Sequence, residues 1–225
     1  MDIPASPEVA SLVQALQKTF DLRTFIETGT FLGDSAAWAS QRFERVYTIE
    51  RSEDLWQRAQ QRLAPLDNVT CLWGDSRQAL KSLTTTAQER TLFWLDAHWS
   101  GDDTYGEKDE CPLSDELEVI LGNRPGSYVL IDDARLFLSP PPLPHNPANW
   151  PAVDQVVGLL SKHGLYVVVL EDVIVAVPPA ARAWLVDYCQ ALNTRRWQER
   201  QAVADRNWRR KARKTWRRLR SRIQL

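Results

Sequence analysis

Long apolar runs, clustered cysteines and phosphate-binding glycine motifs are all missing from this chain of 225 residues. Because no run of about 18 apolar residues occurs, we expect no transmembrane helix, and the N-terminus lacks a signal-peptide pattern. The three cysteines, Cys71, Cys111 and Cys189, are too widely spaced to suggest a disulfide framework or a zinc site. These absences favour a cytoplasmic globular protein with reduced thiols.

Neither of the common nucleotide-binding signatures is present. The chain has no G-x-G-x-x-G turn, and no G-K-[ST] follows the glycines at Gly29 and Gly33. The second absence excludes a P-loop at this turn. The first counts against a dinucleotide-dependent oxidoreductase.

Charge divides the chain into two regions of opposite sign. Residues 195–225 contain 13 Lys and Arg against two acidic residues, a net charge of +11, whereas the rest has 15 basic and 27 acidic residues. Hydrophobic residues make up 44% of the chain, enough for one large core. We therefore predict an acidic domain, residues 1–180, which begins with a helix within residues 1–22, and a basic helical extension, residues 181–225.

Segments with strand character alternate with segments of helical spacing along the acidic domain. This alternation predicts an α/β fold with a Rossmann-like, doubly wound and mostly parallel sheet. The last two strands are joined only by Glu171 and Asp172, so they must form a closing antiparallel hairpin. The predicted strands are 24–27, 45–50, 69–73, 91–96, 127–133, 166–170 and 173–177, and the predicted helices are 7–20, 34–41, 52–63, 77–83, 112–121 and 153–163.

The first predicted strand runs into a glycine turn, Glu27 to Gly33, that leads to a helix. Glycines permit a tight turn and a close approach of a ligand to the backbone, and the acid beside the turn suits a cationic amino-acid group. Glu50 ends the second strand, where an acid can accept hydrogen bonds from a ribose, and Asp75 and Ser76 follow the third, where an adenine edge would lie. The order of these residues predicts a nucleoside site, although each one alone also fits a plain turn or a solvated strand end.

Three aspartates end the fourth and fifth predicted strands, namely Asp96 and the pair Asp132-Asp133. Adjacent parallel strands lie about 4.8 Å apart, so these carboxylates would converge and repel one another without a counter-charge. A hard cation such as Mg²⁺ would relieve the repulsion and could orient and acidify a hydroxyl of an acceptor. His98 is a candidate general base for that hydroxyl. Loop-capping aspartates and a surface histidine would leave the same pattern.

The ordered set of strand-end acids and the glycine turn resembles the class I S-adenosylmethionine-dependent methyltransferases over about residues 25–177. The motif E-x-G-x-x-x-G is moderately specific alone, and the full ordered set with the late hairpin is considerably more specific. The resemblance implies that the turn and its acid hold the methionine part of the cofactor, that Glu50 holds the ribose and that Asp75 lies near the adenine. The cofactor-binding residues expected from it are Glu27, Thr28, Gly29, Gly33, Glu50, Asp75, Ser76 and Asp96.

A narrower resemblance rests on Leu95-Asp96 and on Leu130-Ile131-Asp132-Asp133, which are similar to the metal-dependent sugar O-methyltransferases of the macrocin O-methyltransferase type. It implies a Mg²⁺ site formed by Asp96, Asp132 and Asp133, and a sugar or glycan precursor as the acceptor. The base of that family is an aspartate two residues after the first ligand. His98 stands at that position here, which leaves the assignment of the base open.

The loop before Pro112 and the aromatic residues offer further candidates for the acceptor site. Glu107, Asp109 and Glu110 could contact acceptor hydroxyls or a metal, and Trp99 and Trp150 could stack on a sugar face. For the acidic residues, a solvated loop is the competing interpretation.

The basic extension has the pattern of an amphipathic helix. Trp208, Trp216, Leu219 and Ile223 follow one another at steps of 8, 3 and 4 residues, near one face of a helix. Such a helix suits an anionic membrane surface, another subunit or, with less support, nucleic-acid phosphates. A solvated extension without a partner fits the same pattern. We therefore expect a cytoplasmic protein that the extension could hold at the periphery of a membrane.

Together these patterns predict an enzyme that transfers the methyl group of S-adenosylmethionine to an oxygen of a hydroxylated small molecule, assisted by a divalent cation. The competing hypothesis is a catalytically silent, methyltransferase-like binding module, tethered by its basic extension to a membrane or to nucleic acid.

Overall fold

The computed structural model of the chain describes residues 3–86, 90–99 and 109–223. The chain divides into two compact units, Met1–Ala181 and Arg182–Leu225. Among the residues described, no helix combines the length and the apolar character needed to cross a membrane.

The described residues form eight helices and seven strands. The helices are α1 (Pro7–Phe20), α2 (Asp34–Ser40), α3 (Glu53–Leu63), α4 (Ser76–Thr86), α5 (Leu113–Asn123), α6 (Arg135–Leu138), α7 (Val153–Lys162) and α8 (Arg182–Ile223). The strands are β1 (Thr24–Thr28), β2 (Arg45–Glu50), β3 (Val69–Trp73), β4 (Thr91–Leu95), β5 (Tyr128–Ile131), β6 (Tyr166–Leu170) and β7 (Val173–Val177). The second unit, taken by itself, consists of the basic helix α8 in its described part.

The seven strands form one sheet in the order β3-β2-β1-β4-β5-β7-β6. Strands β1 to β5 are parallel, and β7 pairs antiparallel with both β5 and β6. The strand order reverses between β1 and β4, and ligands of open α/β sheets bind outside the carboxyl ends of the strands at such a point. The predicted fold, a mostly parallel Rossmann-like sheet with a closing hairpin, is confirmed.

Both faces of this sheet are buried, as expected for parallel strands. Successive strand residues point to opposite faces. On one face, Ile26, Phe93 and Ile131 belong to a core cluster completed by residues of α4, α5 and α7. Their neighbours Phe25 and Leu92 point to the other face and are also fully buried.

Local sequence signals account for where the helices begin. Ser6 caps α1 by accepting a hydrogen bond from the Val9 N–H at 3.4 Å, and Pro7 occupies the first turn. Ser52 caps α3 in the same way, with Leu55 as the donor. The predicted helix starts at these two places are confirmed.

The main differences from the predicted elements lie after β5. The strand ends at Ile131 rather than at residue 133, because Asp133 adopts a φ of 55°, which an extended strand does not allow. The one-turn helix α6 then follows, and it was not predicted because four residues are too few to show a helical period. Helix α4 also runs further than predicted, from Ser76 to Thr86.

Candidate active site

The carboxyl ends of the parallel strands meet along one edge of the sheet. Backbone hydrogen bonds extend the strand pairing beyond the strands themselves, so the residues that follow neighbouring strands lie side by side. These bonds run from Gly29 N to Ile49 O (2.9 Å), from Gly74 N to Glu50 O (2.9 Å), from Asp96 N to Thr28 O (3.0 Å) and from Asp132 N to Leu95 O (3.0 Å).

A cavity of about 280 Å³ opens at this edge. Its volume lies at the lower end of the range of small-molecule sites, roughly 300–1,000 Å³. Of the eleven residues that the sequence assigns to the site, the structure brings seven into the wall of this cavity: Gly29, Glu50, Asp75, Ser76, Asp96, His98 and Asp133. The remaining four are Glu27, Thr28, Gly33 and Asp132, which lie below or beside it.

The turn after β1 requires a glycine at position 29. Gly29 has a φ of 83°, and a Cβ built on it would lie 2.4 Å from the backbone oxygen of Asp96. Any side chain would therefore force the β1 turn away from the end of β4. Gly33 serves a different purpose, because its Cβ would press on the Leu63 side chain at 3.1 Å, and it thus lets α2 start close to α3.

Glu27 and Thr28 support the turn from below. The buried Glu27 carboxylate accepts a hydrogen bond of 2.7 Å from the Thr48 hydroxyl, which in turn lies 2.6 Å from the Thr30 hydroxyl. Glu27 thus supports the turn through Thr48, and its predicted contact with a cofactor stays a prediction.

Glu50 ties the glycine turn to the start of α3. Its Oε2 accepts from the Phe31 N–H and its Oε1 from the Ser52 N–H, both at 2.9 Å. Because each carboxylate oxygen can accept more than one hydrogen bond, Glu50 keeps acceptor capacity in the cavity wall while it fixes the turn.

Asp75 belongs to an ion-pair network at the edge of the cavity. Arg77 grips its carboxylate with two hydrogen bonds, of 2.9 and 2.6 Å, and these hold the pKa of Asp75 below its ordinary value. The same guanidinium donates to Asp109 at 2.6 Å, and Arg51 donates to Asp109 at 3.0 Å. Asp109, considered above as an acceptor contact, is therefore neutralised by two arginines.

Asp96, His98 and Asp133 form a compact cluster at the other end of the cavity. Their potential ligand atoms all lie within 4.8 Å of one another. The His98 Nε2 atom lies 2.9 Å from Asp133 Oδ2, and Nδ1 lies 3.4 Å from Asp96 Oδ1. Both ring nitrogens thus face carboxylates, and the three groups could share a proton or a cation.

The two aspartates of this cluster have opposite electrostatic surroundings. Burial, and then the charges of Asp132 and Asp133, raise the pKa of Asp96 well above its ordinary value. Burial alone would raise the pKa of Asp133 too, but hydrogen bonds from His98 and Arg135 outweigh it and hold that pKa below its ordinary range. Asp96 is therefore the member of the cluster whose charged form is disfavoured by its surroundings.

Asp132 is not part of this cluster, so its predicted role as a third carboxylate ligand stays a prediction. It is fully buried in the wall of a second cavity, of about 100 Å³, beside Ile3, Trp94 and Glu171. The chain leaves the extended conformation at Asp133, whose φ is 55°, and the two neighbouring carboxylates line different cavities. His98 supplies the third donor of the cluster instead.

Glu116 is a buried acid that the sequence reasoning missed. Its side chain, on α5, is 1% exposed, and its Oε2 accepts from the Thr28 hydroxyl at 3.4 Å and from Ser76. Its Oε1 has no partner among the described residues. Burial raises the pKa of Glu116 to about 7. The signal was available, because Glu116 occupies the apolar stripe Leu113, Leu117 and Ile120 of its helix.

Glu110 anchors the proline-rich loop before α7. Its buried carboxylate accepts from Trp150 Nε1 at 2.7 Å, from the Asn146 N–H at 2.9 Å and from Asn149 Nδ2 at 3.3 Å, and it lies 3.2 Å from His145 Nδ1. Burial by itself would raise its pKa, but these hydrogen bonds lower it below the ordinary value. Glu110 therefore organises the loop rather than contacting an acceptor.

The two candidate stacking tryptophans differ. Trp150 is only 7% exposed and packs on Phe137 and His98, so the expectation that it stacks on an acceptor is wrong. Trp99 is partly exposed and makes an edge contact with His145. The expected contact of Glu107 lies outside the described residues.

Comparison with family models and with curated protein sequences finds no match. Solved structures match in fold. A protein from Klebsiella pneumoniae assigned as an O-methyltransferase aligns with a TM-score of 0.58 at 19% identity, over 77% of this chain and 81% of that chain. The O-methyltransferase TomG from Streptomyces achromogenes, involved in tomaymycin synthesis and solved with SAM, gives 0.53 at 19% identity, over 77% and 81%. An O-methyltransferase from Bacillus cereus, solved with SAH, gives 0.51 at 19% identity, over 76% and 81%. At these identities the likeness establishes the fold, which is the Rossmann-like fold of these methyltransferases.

Proposed function

We propose that this chain is an S-adenosylmethionine-dependent O-methyltransferase that acts on a hydroxylated small molecule. The observation that carries the proposal is a single cavity with the Gly29 turn, Glu50 and Asp75 along one wall and the acid cluster at its other end. The fold it shares with structures solved with SAM and SAH supports the same cofactor. Such a cavity can hold a nucleoside sulfonium and an acceptor oxygen next to each other.

On the cofactor side, the protein supplies shape and acceptors. The Gly29 turn lets a ligand approach the backbone, and Glu50 would accept hydrogen bonds from the ribose hydroxyls. Ser76 and the backbone beside Asp75 would meet the adenine edge, because the Asp75 carboxylate itself is held by Arg77. The cofactor supplies an already activated methyl group, so the protein chiefly has to position the reactants.

The acid cluster also fits a divalent cation. Asp96, with its raised pKa, gains most from a nearby positive charge, and Asp133 and His98 offer donor atoms within 4.8 Å. Carboxylates suit Mg²⁺ or Mn²⁺, and an imidazole donor shifts the preference toward ions such as Zn²⁺. When bound, the cation would orient an acceptor hydroxyl and make it more acidic.

We assign the general base to His98. The Asp133 carboxylate oxygen Oδ2 lies at hydrogen-bond distance from His98 Nε2, 2.9 Å, and this contact fixes the orientation of the ring. Nδ1 then faces Asp96 and the cavity, where it can take the proton of an acceptor hydroxyl. The same ring could instead serve as a metal ligand, and substitution of His98 separates the two roles.

The acceptor that we propose is a carbohydrate with neighbouring hydroxyls. The support is the polar and acidic lining near Asp96 and Asp133, together with the sequence resemblance to the macrocin type. Carboxylates and imidazole are common partners of sugar hydroxyls, since they accept the hydrogen bonds that hydroxyls donate.

Calorimetric titration with S-adenosylhomocysteine, with NAD as the control ligand, tests the cofactor assignment. We expect saturable binding of S-adenosylhomocysteine alone, and methyl transfer to a sugar nucleotide or glycan in the presence of Mg²⁺, Mn²⁺ or Zn²⁺. Failure to bind S-adenosylhomocysteine at millimolar concentration would rule out a methyltransferase. Transfer to catechols but not to sugars would retain the activity and reject the carbohydrate.

The variant His98→Gln distinguishes the two roles of the histidine. If His98 is the base, activity falls by about 100-fold or more, and the metal affinity is unchanged. The remaining activity then increases with pH, because hydroxide replaces the missing base. If metal affinity falls in parallel with activity, His98 is a ligand and the base assignment is rejected.

A further inference from the structure

Helix α8 exposes large apolar side chains that recur at a fixed interval. Trp197 is 62% exposed and Trp208 is 71% exposed. They are separated by 11 residues, which is close to three turns of an α-helix, so they lie within about 20° of one another. The exposed Val186 precedes Trp197 by the same interval, and Leu219 follows Trp208 by the same interval in the sequence. The repeat defines an apolar ladder of Val186, Trp197 and Trp208, which Leu219 continues in the sequence.

A second ladder with the same interval is basic. Arg195, Arg206 and Arg217 are also spaced by 11 residues, and each stands two positions before a member of the apolar ladder. Two residues correspond to about 200° of helical rotation, which places this basic ladder opposite the apolar one. Over residues 195–225 the net charge is +11. The helix therefore has one apolar edge within a strongly basic surface.

We propose that α8 binds the surface of an anionic lipid bilayer, with Trp197 and Trp208 inserted between the headgroups. Tryptophan is enriched at membrane interfaces because its ring is apolar and its N–H is polar. The arginines can reach lipid phosphates from the flanks of the helix. A helix with an apolar edge, abundant arginine and low mean hydropathy is the kind that lies in the plane of an interface rather than across it.

Two other partners would use only part of this pattern. Nucleic-acid phosphates would engage the arginines and give no role to an apolar ladder that runs along the helix. Pairing with a second copy through the apolar ladder would bring together two helices that each carry +11, and like charges oppose such contact. An anionic bilayer accommodates the apolar ladder at its interface and also attracts the net positive charge of the helix.

Co-sedimentation of the full chain with vesicles tests the proposal. One vesicle type contains phosphatidylcholine with one third phosphatidylglycerol, and the other contains phosphatidylcholine alone. We expect at least about tenfold stronger binding to the anionic vesicles, which weakens as salt screens the charges.

Exchange variants isolate the apolar ladder without changing composition or charge. The double variants W197R/R195W and W208R/R206W move a tryptophan from the apolar ladder to the basic one. We expect each to bind anionic vesicles about tenfold more weakly, with unchanged helicity by circular dichroism. Val203→Ala removes an exposed apolar side chain that lies off the ladder, and it should bind as the wild type does.

Four results would each overturn the proposal. Equal binding to both vesicle types would show that the helix does not recognise anionic lipid. Exchange variants that bind as tightly as the wild type would show that the apolar ladder does not contribute to binding. No sedimentation, accompanied by a gel shift with single-stranded RNA, would assign the surface to nucleic acid. Concentration-dependent dimerisation that the exchange variants abolish would assign it to a second copy.

Discussion

The two ends of the cavity treat their acidic residues in opposite ways. At the end that we propose binds the nucleoside, called the nucleoside end below, Glu50 is bonded to two backbone N–H groups and Asp75 is held by Arg77. At the other end, Asp96 and Asp133 flank one histidine, and the pKa of Asp96 is raised by burial and by neighbouring acids. The surroundings favour the charged form of Asp75 at one end and disfavour the charged form of Asp96 at the other.

This contrast shows how one strand-end motif can serve two chemical purposes. An acid whose hydrogen bonds are already arranged acts as a fixed acceptor for neutral hydroxyls. An acid that faces other acids stores an unfavourable interaction that a cation or a proton can relieve. The contrast therefore indicates where a ligand is recognised by shape and where it is recognised by charge.

The largest effect on stability is expected where the turn after β1 meets the end of β4, between the two ends of the cavity. In Gly29→Ala the new Cβ would meet Asp96 O at 2.4 Å with a φ of 83°, so we expect a loss of at least about 3 kcal/mol in the free energy of unfolding. Binding of S-adenosylhomocysteine should be lost as well, by calorimetry. Gly158→Ala, with no atom within 4 Å in α7, is the control and should gain about 0.5–1 kcal/mol. Wild-type stability in Gly29→Ala would show that the turn is not constrained as described.

Removing one charge from the cluster of Asp96, His98 and Asp133 should weaken cation binding at that end of the cavity. Asp133→Asn takes a carboxylate out of the cluster, so we expect the affinity for a divalent cation to fall by about 100-fold, measured by metal-dependent thermal stabilisation. Asp75→Asn removes a charge of the same sign at the nucleoside end and should leave the cation affinity unaltered. Equal losses in both variants would mean that the cation responds to overall charge rather than to this cluster.

Glu116 is an exception to this contrast, because it is a buried acid beside Thr28 and Ser76 whose pKa is raised by burial. Its pKa is about 7 in the folded protein, above the ordinary value of 4.5. Between these values the folded state keeps a proton that the unfolded state releases, so stability falls as the pH rises through this window. Glu116→Gln has no proton to lose and should gain about 2 kcal/mol relative to wild type on going from pH 4.5 to pH 8. Denaturant unfolding at both pH values measures the difference, and parallel profiles for the two proteins would contradict the assigned burial.

The smallest effect is expected for Glu50, which we propose contacts the ribose of the cofactor. Glu50→Gln keeps the shape and removes the charge that holds the Phe31 and Ser52 N–H groups. We expect about tenfold weaker binding of S-adenosylhomocysteine, since a charged acceptor contributes about 1.5–3 kcal/mol per hydrogen bond. Glu53→Gln, an exposed change in the first turn of α3, is the matched control. A larger loss in the control would show that the effect comes from α3 rather than from the cavity.

The sequence was sufficient to predict the fold and most of the cavity, because both follow from local patterns. Buried strands, capped helices and acids at strand ends recur in chain order, and parallel strands bring their ends to one edge. Gly29, Glu50 and Asp96 therefore lie where the sequence predicts. The closing antiparallel hairpin is confirmed as well, because the two residues between its strands allow only an antiparallel pair.

The parts that were not predicted depend on contacts between distant segments. Arg77 meets Asp109 across 32 positions, and Glu110 meets Trp150 across 40, so no local pattern marks either pair. The side to which Asp132 points depends on where β5 ends, which the positive φ of Asp133 determines. Glu116 was visible as an acid in an apolar stripe, and its partners were not.

The dependence of the proline-rich loop on Glu110 has a consequence for how the protein could diversify. One buried carboxylate fixes residues 145–150, while Leu143 at the tip is 93% exposed. The tip can therefore gain, lose or exchange residues with little effect on the anchored half, which packs on His98 through Trp150. Such an arrangement lets selection change what the loop meets in solution while the chemistry behind it stays intact.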